Sequence, residues 1–457
     1  MASIPITPSD ISGRMERLPM TSYQTKLFCI IATAWFFDSM DLGVMTFILG
    51  SIKTEFGLSV AQTGIVASAS FLGMLIGAAV AGILADKFGR KPVFQISMVF
   101  WGVGSLCCGL STDVNMLIAS RVLLGFGMGM EFPVGLSIVS EIVPSNRRGR
   151  YLAILEGFWP IGFICSGILS YLLLDTIGWR GIFFVLAIPA VFVFYIRRHV
   201  PESPRWLCDS GQKEKADSVM THMEDHVRKT LNNKELPPVV AIPNRETQKN
   251  TGSSFSELWK GEYGRRTLML WVLWFFALMG YYGLTSWLGA LLQQAGYEVT
   301  KSVLYTVTIS LAGIPGFIFA SWIIEKIGRK PTCVLLLLGS AVSVYIYGHV
   351  ASVKGELHYL MMSGMFMQFC LFGMWSILYA YTPELYPTRI RATGAGLASS
   401  IGRLGSFVGP FAVGFLLPIT GQVGVFTLGA VSFVIAAGVV VVLGVETRGK
   451  VLEEVSG

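Results

Sequence analysis

DKFGRK (residues 86–91) returns as EKIGRK (325–330), an offset of 239 residues. A second loop does the same: EIVPSNRRGR (141–150) is answered by ELYPTRIRAT (384–393), an offset of 243. The first pair follows the second and eighth of a series of apolar runs, the second pair the fourth and tenth. Matching loops in matching places mean two halves built alike. Parallel repeats of this kind are one way membrane transporters are assembled, with the site between the halves near the midplane.

Between those loops the chain is apolar. Of 457 residues, 53% are hydrophobic and 14% charged, and the mean hydropathy is +0.61. An ordinary globular chain has about 25% charged residues. A bilayer core about 30 Å thick takes roughly 20 apolar residues per helix. Runs near that length recur at about 26–49, 61–84, 92–110, 116–141, 151–174, 180–196, 267–293, 301–324, 331–350, 358–381, 392–417 and 422–444. The expected class is an all-α membrane protein of twelve transmembrane helices in two six-helix, pseudo-symmetric bundles. The expected segments are a tail at 1–25, a bundle at 26–196, a linker at 197–266, a second bundle at 267–445 and a tail at 446–457.

A net charge of +7 would suit nucleic acid, but its placement does not. Basic residues gather in alternate loops: Lys87, Arg90 and Lys91; Arg147, Arg148 and Arg150; the linker; Lys326, Arg329 and Lys330; Arg389 and Arg391; Arg448 and Lys450. The intervening loops hold a lone Lys53, Arg180, Lys301 or Lys354. This positive-inside pattern puts both termini and the linker in the cytosol and argues against a nucleic-acid partner. The N-terminal stretch lacks a short apolar core and a cleavage site, and reads as a cytosolic tail rather than a signal peptide. The seven cysteines show no metal spacing and read as small core residues. Within the linker, 211–231 patterns as an amphipathic helix and the residues after it as a looser connection. His222 and His226 stand four apart on that helix without a third ligand. Neither a metal nor another cofactor is expected.

GILADKFGRKP (82–92), RVLLGFGMG (121–129), PESPRWL (201–207) and the repeated E-x-x-P…R loops together resemble the major facilitator superfamily over nearly the whole chain. The resemblance implies rocking-bundle alternating access. It also implies a cytosolic charge relay of Asp86, Arg90, Glu141 and Arg148, with Glu325, Arg329, Glu384 and Arg391 as repeat mates. Charged pairs that are desolvated when the cytosolic side closes and exposed when it opens make a two-state element; plain positive-inside anchoring is the other reading. PESPRWL resembles sugar porters, but Glu156 stands where they carry Gln. The seventh run, WVLWFFALMGYYGLTSWL (271–288), is aromatic where theirs is Gln-rich. That run, GFWPIG (157–162) and Trp375 with Tyr379 ahead of ELYP resemble instead synaptic-vesicle-protein-2-like transporters and, closer in length, bacterial niacin permeases.

Positions three, four and seven apart share a helix face. Gln368, Phe372, Trp375 and Tyr379 do so in the tenth run, Glu156, Trp159 and Phe163 in the fifth, and Ser399, Arg403 and Ser406 in the eleventh. Trp274, Tyr281 and Tyr282 cluster toward one side of the seventh. Aromatic faces can sandwich a planar ring or attract a cation. The rings Trp159, Trp274, Tyr281, Tyr282, Trp375 and Tyr379, with Gln368 and Ser399, are expected to line the substrate site; helix packing or a lipid-interface belt is the alternative, and Trp159, Tyr281 and Tyr282 lie nearer mid-helix than a belt would.

Arg403 sits about eleven residues into its run, near the bilayer centre. An arginine there is costly and is usually functional or paired, and its fork matches a carboxylate bidentately. It is the expected anchor of an anionic substrate, with a standing salt bridge to an intramembrane acid as the alternative. Arg121, near the outer end of the fourth run, reads as a snorkelling or vestibule residue. The intramembrane acids are Asp38, Asp41, Glu131 and Glu156, each expected to face the interior. A carboxylate that gains and loses a proton as access alternates can couple uptake to the proton gradient. Asp38 and Asp41 are the first candidates, because the resemblance puts the first helix against the central cavity. Three residues apart, they are expected to share a helix face. One of them could instead be a structural partner of Arg403.

The expected function is secondary active transport of a small aromatic monocarboxylate, nicotinate first, with protons as the coupling ion. The expected setting is a bacterial inner membrane, with the protein acting as a monomer. An organic-cation uniporter would use the same rings with an acid as counter-ion, and Arg403 argues against it. Another aromatic-acid or sugar-like solute, and a transporter-like sensor, complete the alternatives. No His-rich metal motif, nucleotide loop or nucleophile arrangement marks an enzyme. The G-x-G-x-G in RVLLGFGMGM follows no strand, and its glycines suit close helix packing.

Overall fold

The computed structural model describes residues 7–232, 235–239, 254–294, 296–353, 356–386 and 390–448. Its described elements are all helical. The first passes are α1 (Ser22–Phe56), α2 (Val60–Phe88), α3 (Arg90–Gly109) and α4 (Val114–Ile142). The long helix Ser145–Ala187 is broken at Gly178, with φ 67° and ψ 177°. The break yields α5 (145–177) and α6, which runs on from 179 through Ile188–Val191 and Phe192–His199. After the linker come α7 (Gly261–Thr285), α8 (Val299–Ile327), α9 (Arg329–Ser352) and α10 (Leu357–Glu384). Arg391–Leu443 breaks at Gly421, φ 66° and ψ −169°, into α11 (391–420) and α12 (422–443). The twelve passes predicted from the apolar runs are therefore present. Their ends extend beyond the runs, as at α1, because a helix keeps its backbone hydrogen bonds past the last apolar residue.

Glycine makes the repeat structural. Gly178 and Gly421, 243 residues apart, each turn the chain between two passes in a single residue. Gly89 and Gly328, in the DKFGRK and EKIGRK loops, sit at φ 101° and 98° between consecutive helices. Residues with a Cβ avoid such φ values. The glycines of RVLLGFGMGM act through close approach instead. A Cβ at Gly127 would lie 2.5 Å from the backbone of Trp101 on α3, and Cβ atoms at Gly125 and Gly129 would run into the α2 backbone at Ser70 and Met74.

The halves meet closely at the end away from the basic loops. α11 packs along α2, α5 against α8, and the short helix Leu288–Gln294 against α1. A Cβ at Gly64, near the start of α2, would lie 2.9 Å from the Cα of Gly414, near the end of α11. Close by, Thr300 of α8 donates to the carboxylate of Asp175 on α5 at 2.8 and 3.0 Å. All these contacts lie away from the basic loops. Toward the basic loops, a Cβ at Gly82 of α2, Gly157 of α5 or Gly396 of α11 would meet nothing within 4 Å. The described contacts between these helices thus gather toward the end opposite the basic loops, the outer end in the expected orientation.

The linker folds against the start of the chain. Its helix Lys213–Thr230 corresponds to the amphipathic stretch predicted at 211–231, and the following 233–234 and 240–253 lie outside the described residues. Ala216, Met220, Met223 and Val227 pack with Ile11, Met15 and Leu18 of the helix Pro8–Glu16 and its continuation. Arg14 donates to both oxygens of Glu224 at 3.0 and 2.8 Å and to Asp217 at 2.5 Å, and Arg17 adds a bond to Glu224 at 2.7 Å. Burial alone would push the Glu224 carboxyl up. The hydrogen bonds and charges of the two arginines outweigh it and hold the group below the usual carboxylate range.

Candidate functional site

At the seam, rings from α5, α7 and α10 form one cluster. Trp159 of α5 stacks on Trp375 of α10, with centroids 5.9 Å apart and planes at 28°. It also stacks on Phe163, one turn along α5, at 5.8 Å. Trp375 stacks on Tyr379 at 5.6 Å and meets Tyr281 edge-on at 5.3 Å and Tyr282 at 6.1 Å. Trp274 meets Tyr379 edge-on at 5.4 Å, and its indole N–H donates to Thr382 Oγ1 at 2.9 Å. The four-residue spacings put Trp159 with Phe163, and Trp375 with Tyr379, on single faces. The seam then brings those faces together from both halves. The indole nitrogen of Trp375 and the hydroxyl of Tyr281 are buried close to each other. Gln368 shares the α10 face by spacing, yet its described contact is with Ser310 of α8 at 3.4 Å, inside the second half. Ser399 lies half-buried on α11, the helix of Arg403.

Arg403 reaches from the second half into the first. It is 8% exposed, and its guanidinium carbon lies 5.1 Å from the ring centroid of Phe132 on α4. Its Nη1 is 3.9 Å from Met74 Sδ on α2. Among the described residues no carboxylate lies within 4.0 Å of it. Asp38 of α1, Glu156 of α5 and the hydroxyls of Tyr282 and Tyr379 are in electrostatic reach. The fork is thus held by a ring face and a thioether, with acids nearby but none paired to it.

The four intramembrane acids divide. Asp38 interacts electrostatically with Glu131 of α4 and with Arg403. Asp41 is wholly buried and faces Arg121 of α4, inside the first half. The two aspartates still sense each other's charge, but each has its own arginine. Asp38 Oδ1 and Glu131 Oε1 are buried without hydrogen-bond partners, while the Asp41 carboxylate lies against the side chains of Ser105 and Trp101 of α3.

Arg121 does not snorkel. It is 1% exposed, with its guanidinium carbon 5.9 Å from the Phe183 ring of α6. α4 packs against α1, α2 and α3, and the side chain itself is enclosed rather than reaching the interface. It lines a narrow pocket toward the outer end, together with Phe71, Trp159, Phe163 and Tyr282.

At the basic end, Arg90 Nε lies 3.8 Å from Glu141, and Ser203 Oγ donates to the same carboxylate. In the second half Arg329 pairs with Glu384 at 3.1 Å and Glu325 at 3.3 Å, and Thr447 Oγ1 donates to Glu384 at 2.5 Å. The side chains of Asp86, Arg148 and Arg391 lie outside the described residues. Each described pair stays within one half. Sequence reading missed two further acids. Glu202 accepts the backbone N–H groups of Arg90 and Lys91 at 3.0 and 3.3 Å. Glu446 accepts those of Arg329 and Lys330 at 2.9 and 3.0 Å. Each caps a helix start whose N–H groups have no partner within the helix. The signal was present: PES (201–203) and VET (445–447) follow the sixth and twelfth passes, an offset of 244 residues.

A family model described as Major Facilitator Superfamily matches residues 31–410 and 309–455. The chain is 35% identical over 447 residues to the niacin transporter NiaP of Acinetobacter baylyi, covering 98% of this chain and 99% of that one. A Bacillus subtilis protein provisionally named a niacin/nicotinamide transporter is 33% identical over 432 residues, 94% of this chain and 98% of that one. Among solved structures, the inward open conformation of the xylose transporter XylE from E. coli has a TM-score of 0.74 at 19% identity, over 94% of this chain and 99% of that one. That last likeness is one of fold.

Proposed function

Because this chain belongs to the Major Facilitator Superfamily, and is thus an integral membrane transporter of a small molecule rather than an enzyme, we propose that its cargo is nicotinate. Arg403 carries the reading. A buried guanidinium with no carboxylate within 4.0 Å, set beside stacked rings from both halves, suits a planar ring bearing one carboxylate. The niacin-transporting relative, similar over nearly its full length, supports the same cargo. The substrate-contacting set is Arg403, Trp159, Trp274, Tyr281, Tyr282, Trp375, Tyr379 and Ser399, with Gln368 supporting α10 from behind.

Transport proceeds by alternating access, the halves 26–196 and 267–445 rocking about the seam. The relay residues Asp86, Arg90, Glu141 and Arg148, with Glu325, Arg329, Glu384 and Arg391, rearrange at the basic end. Uptake is coupled to protons through the buried acids Asp38, Asp41, Glu131 and Glu156. The membrane is the bacterial plasma membrane, the working unit is a monomer, and both termini face the cytosol with the linker. The gathering of basic loops at one end supports that orientation.

Competition in proteoliposomes tests the cargo. Unlabelled nicotinate is expected to suppress labelled nicotinate uptake strongly, nicotinamide and a quaternary amine weakly. Equal suppression by nicotinamide would remove the carboxylate from recognition, and suppression confined to sugars would sink the aromatic reading. For coupling, Asp38→Asn and Asp41→Asn proteins are compared under an imposed pH gradient. Full gradient-driven accumulation by both would end the role of these two acids.

A further inference from the structure

Tyr281 lies inside the ring cluster, meeting Trp375, Tyr282 and Trp159 edge-on, and it is 0% exposed. Its hydroxyl is sealed from water beside the indole nitrogen of Trp375. An indole N–H only donates, whereas a phenol both donates and accepts. Trp375 can therefore occupy a lone pair of that hydroxyl but cannot receive its hydrogen. Among the described residues nothing within hydrogen-bond distance accepts that hydrogen. A buried donor left unpaired is costly, and in a native structure such a group calls for a reason.

The other polar heads of the cluster are provided for. Trp274 donates its N–H to Thr382. The hydroxyls of Tyr282 and Tyr379 both lie in electrostatic reach of Glu156, whose carboxylate can accept. Trp159 is half-buried, which leaves its N–H open to water. Of these rings Tyr281 is the one whose sealed hydrogen lacks an acceptor. It stands next in the chain to Tyr282, which is in electrostatic reach of Arg403. A cationic fork and a neutral donor thus serve one stack of rings.

We propose that Tyr281 reads a ring nitrogen: its hydroxyl donates to an acceptor atom within the aromatic ring of the cargo, with Trp375 as the residue that positions the hydroxyl. A neutral pyridine nitrogen carries its lone pair in the plane of the ring. The edge of the ring therefore meets the hydroxyl, while its faces remain available to the indoles. A carbocyclic acid of the same shape presses a C–H against the hydroxyl and leaves the hydrogen buried and unpaired. A site built to bond a polar group rejects the analogue lacking it far more strongly than an apolar pocket rejects a small change of bulk. Arg403 then selects the acid and Tyr281 the heterocycle. The acid rests on the nicotinate reading of Arg403; the ring nitrogen rests on Tyr281 alone.

Ligand pairs that differ only at the ring nitrogen test it: nicotinate with benzoate, and nicotinamide with benzamide. Affinities are measured by calorimetric titration of purified wild type, Tyr281→Phe, Trp375→Phe and Arg403→Gln. Wild type should prefer nicotinate to benzoate by at least about tenfold, the scale of leaving one buried donor unpaired. Tyr281→Phe keeps the ring and removes the hydroxyl. Nicotinate should then weaken about fivefold or more, benzoate should not weaken, and the preference should fall below about twofold. Equal affinity of wild type for the two acids, or proportional weakening of both in Tyr281→Phe, would overturn the assignment. Trp375→Phe removes the positioning N–H, keeps a ring, and should lower the preference in the same direction. Should Tyr281→Phe fail to fold, an unchanged preference in Trp375→Phe is the overturning result. The cargo reading fails separately. If Arg403→Gln binds both acids as wild type does, the carboxylate anchor is lost. The nicotinamide-to-benzamide ratio in Tyr281→Phe still decides whether the ring nitrogen is read.

Discussion

Two aspartates three residues apart, each with its own arginine, show how side chains divide labour in this seam. Charges inside apolar runs are conspicuous in sequence, so Arg403, Asp38 and Asp41 were legible as buried interior charges. Their partners were not, because a partner is a property of packing. Arg121 was equally visible, but its depth allowed snorkelling until the neighbouring helices were in place. Gln368 shared a face with Trp375 by spacing, while that face turned partly toward α8. Charge and ring contributions at the site are separable. Arg403→Lys keeps the charge and loses the fork. Nicotinate affinity, measured by titration calorimetry, should fall about tenfold, while nicotinamide changes less than twofold. Trp375→Ala removes a ring that contacts Trp159, Tyr281, Tyr282 and Tyr379. A stacking loss of about 1 kcal/mol should weaken both ligands alike, by five- to tenfold. Equal losses for both ligands in Arg403→Lys would assign that arginine to packing.

Helices and their ends carry the next set of consequences. The one-residue turns at Gly178 and Gly421 sit at φ 67° and 66°, where a Cβ costs roughly 1–2 kcal/mol. Gly178→Ala and Gly421→Ala should each lower the thermal midpoint of the purified protein. Gly438→Ala, on α12 with open space around it, should not. The repeat loops announced the two halves, but these turns did not announce themselves, since each lies in a helix-like stretch with other glycines nearby. The caps at Glu202 and Glu446 were hidden differently: each is distant in sequence from the helix it caps. The clamp between the first helix and the linker adds a pH dependence. Glu224 is held below the usual carboxylate range in the docked state. Its contribution is therefore complete above the undocked pKa, near 4.3, and is lost as pH falls through the lower, docked value. Hydrogen-exchange protection in residues 8–16, taken relative to the intrinsic rate at each pH, should be high at pH 7 and fall steeply below about pH 4. Glu224→Gln should lower the protection at pH 7 and flatten that dependence.

For the whole molecule, the sequence announced twelve passes in two like halves and left the state of the seam silent, because one chain must support both an inner-open and an outer-open arrangement. Close contacts at the outer end, such as Thr300 to Asp175, are encoded by neither loop chemistry nor periodicity. Asp175→Cys with Thr300→Cys should cross-link under mild oxidation and reduce uptake to near zero, with recovery on adding a reductant. Continued uptake by fully cross-linked protein would mean that this end need not part during transport.

The single-residue turns have one more consequence, for anything that approaches from solution. On the outer side α1 and α2 are linked by 57–59 and α3 and α4 by 110–113, while Gly178 and Gly421 alone turn the chain after α5 and α11. At these four connections the outer side is nearly flat. The opposite side carries a docked helix and the helices of the linker. A regulator, an affinity reagent or a fused reporter therefore has its broadest described foothold on the side of the linker, and those four connections on the other side offer little to grip.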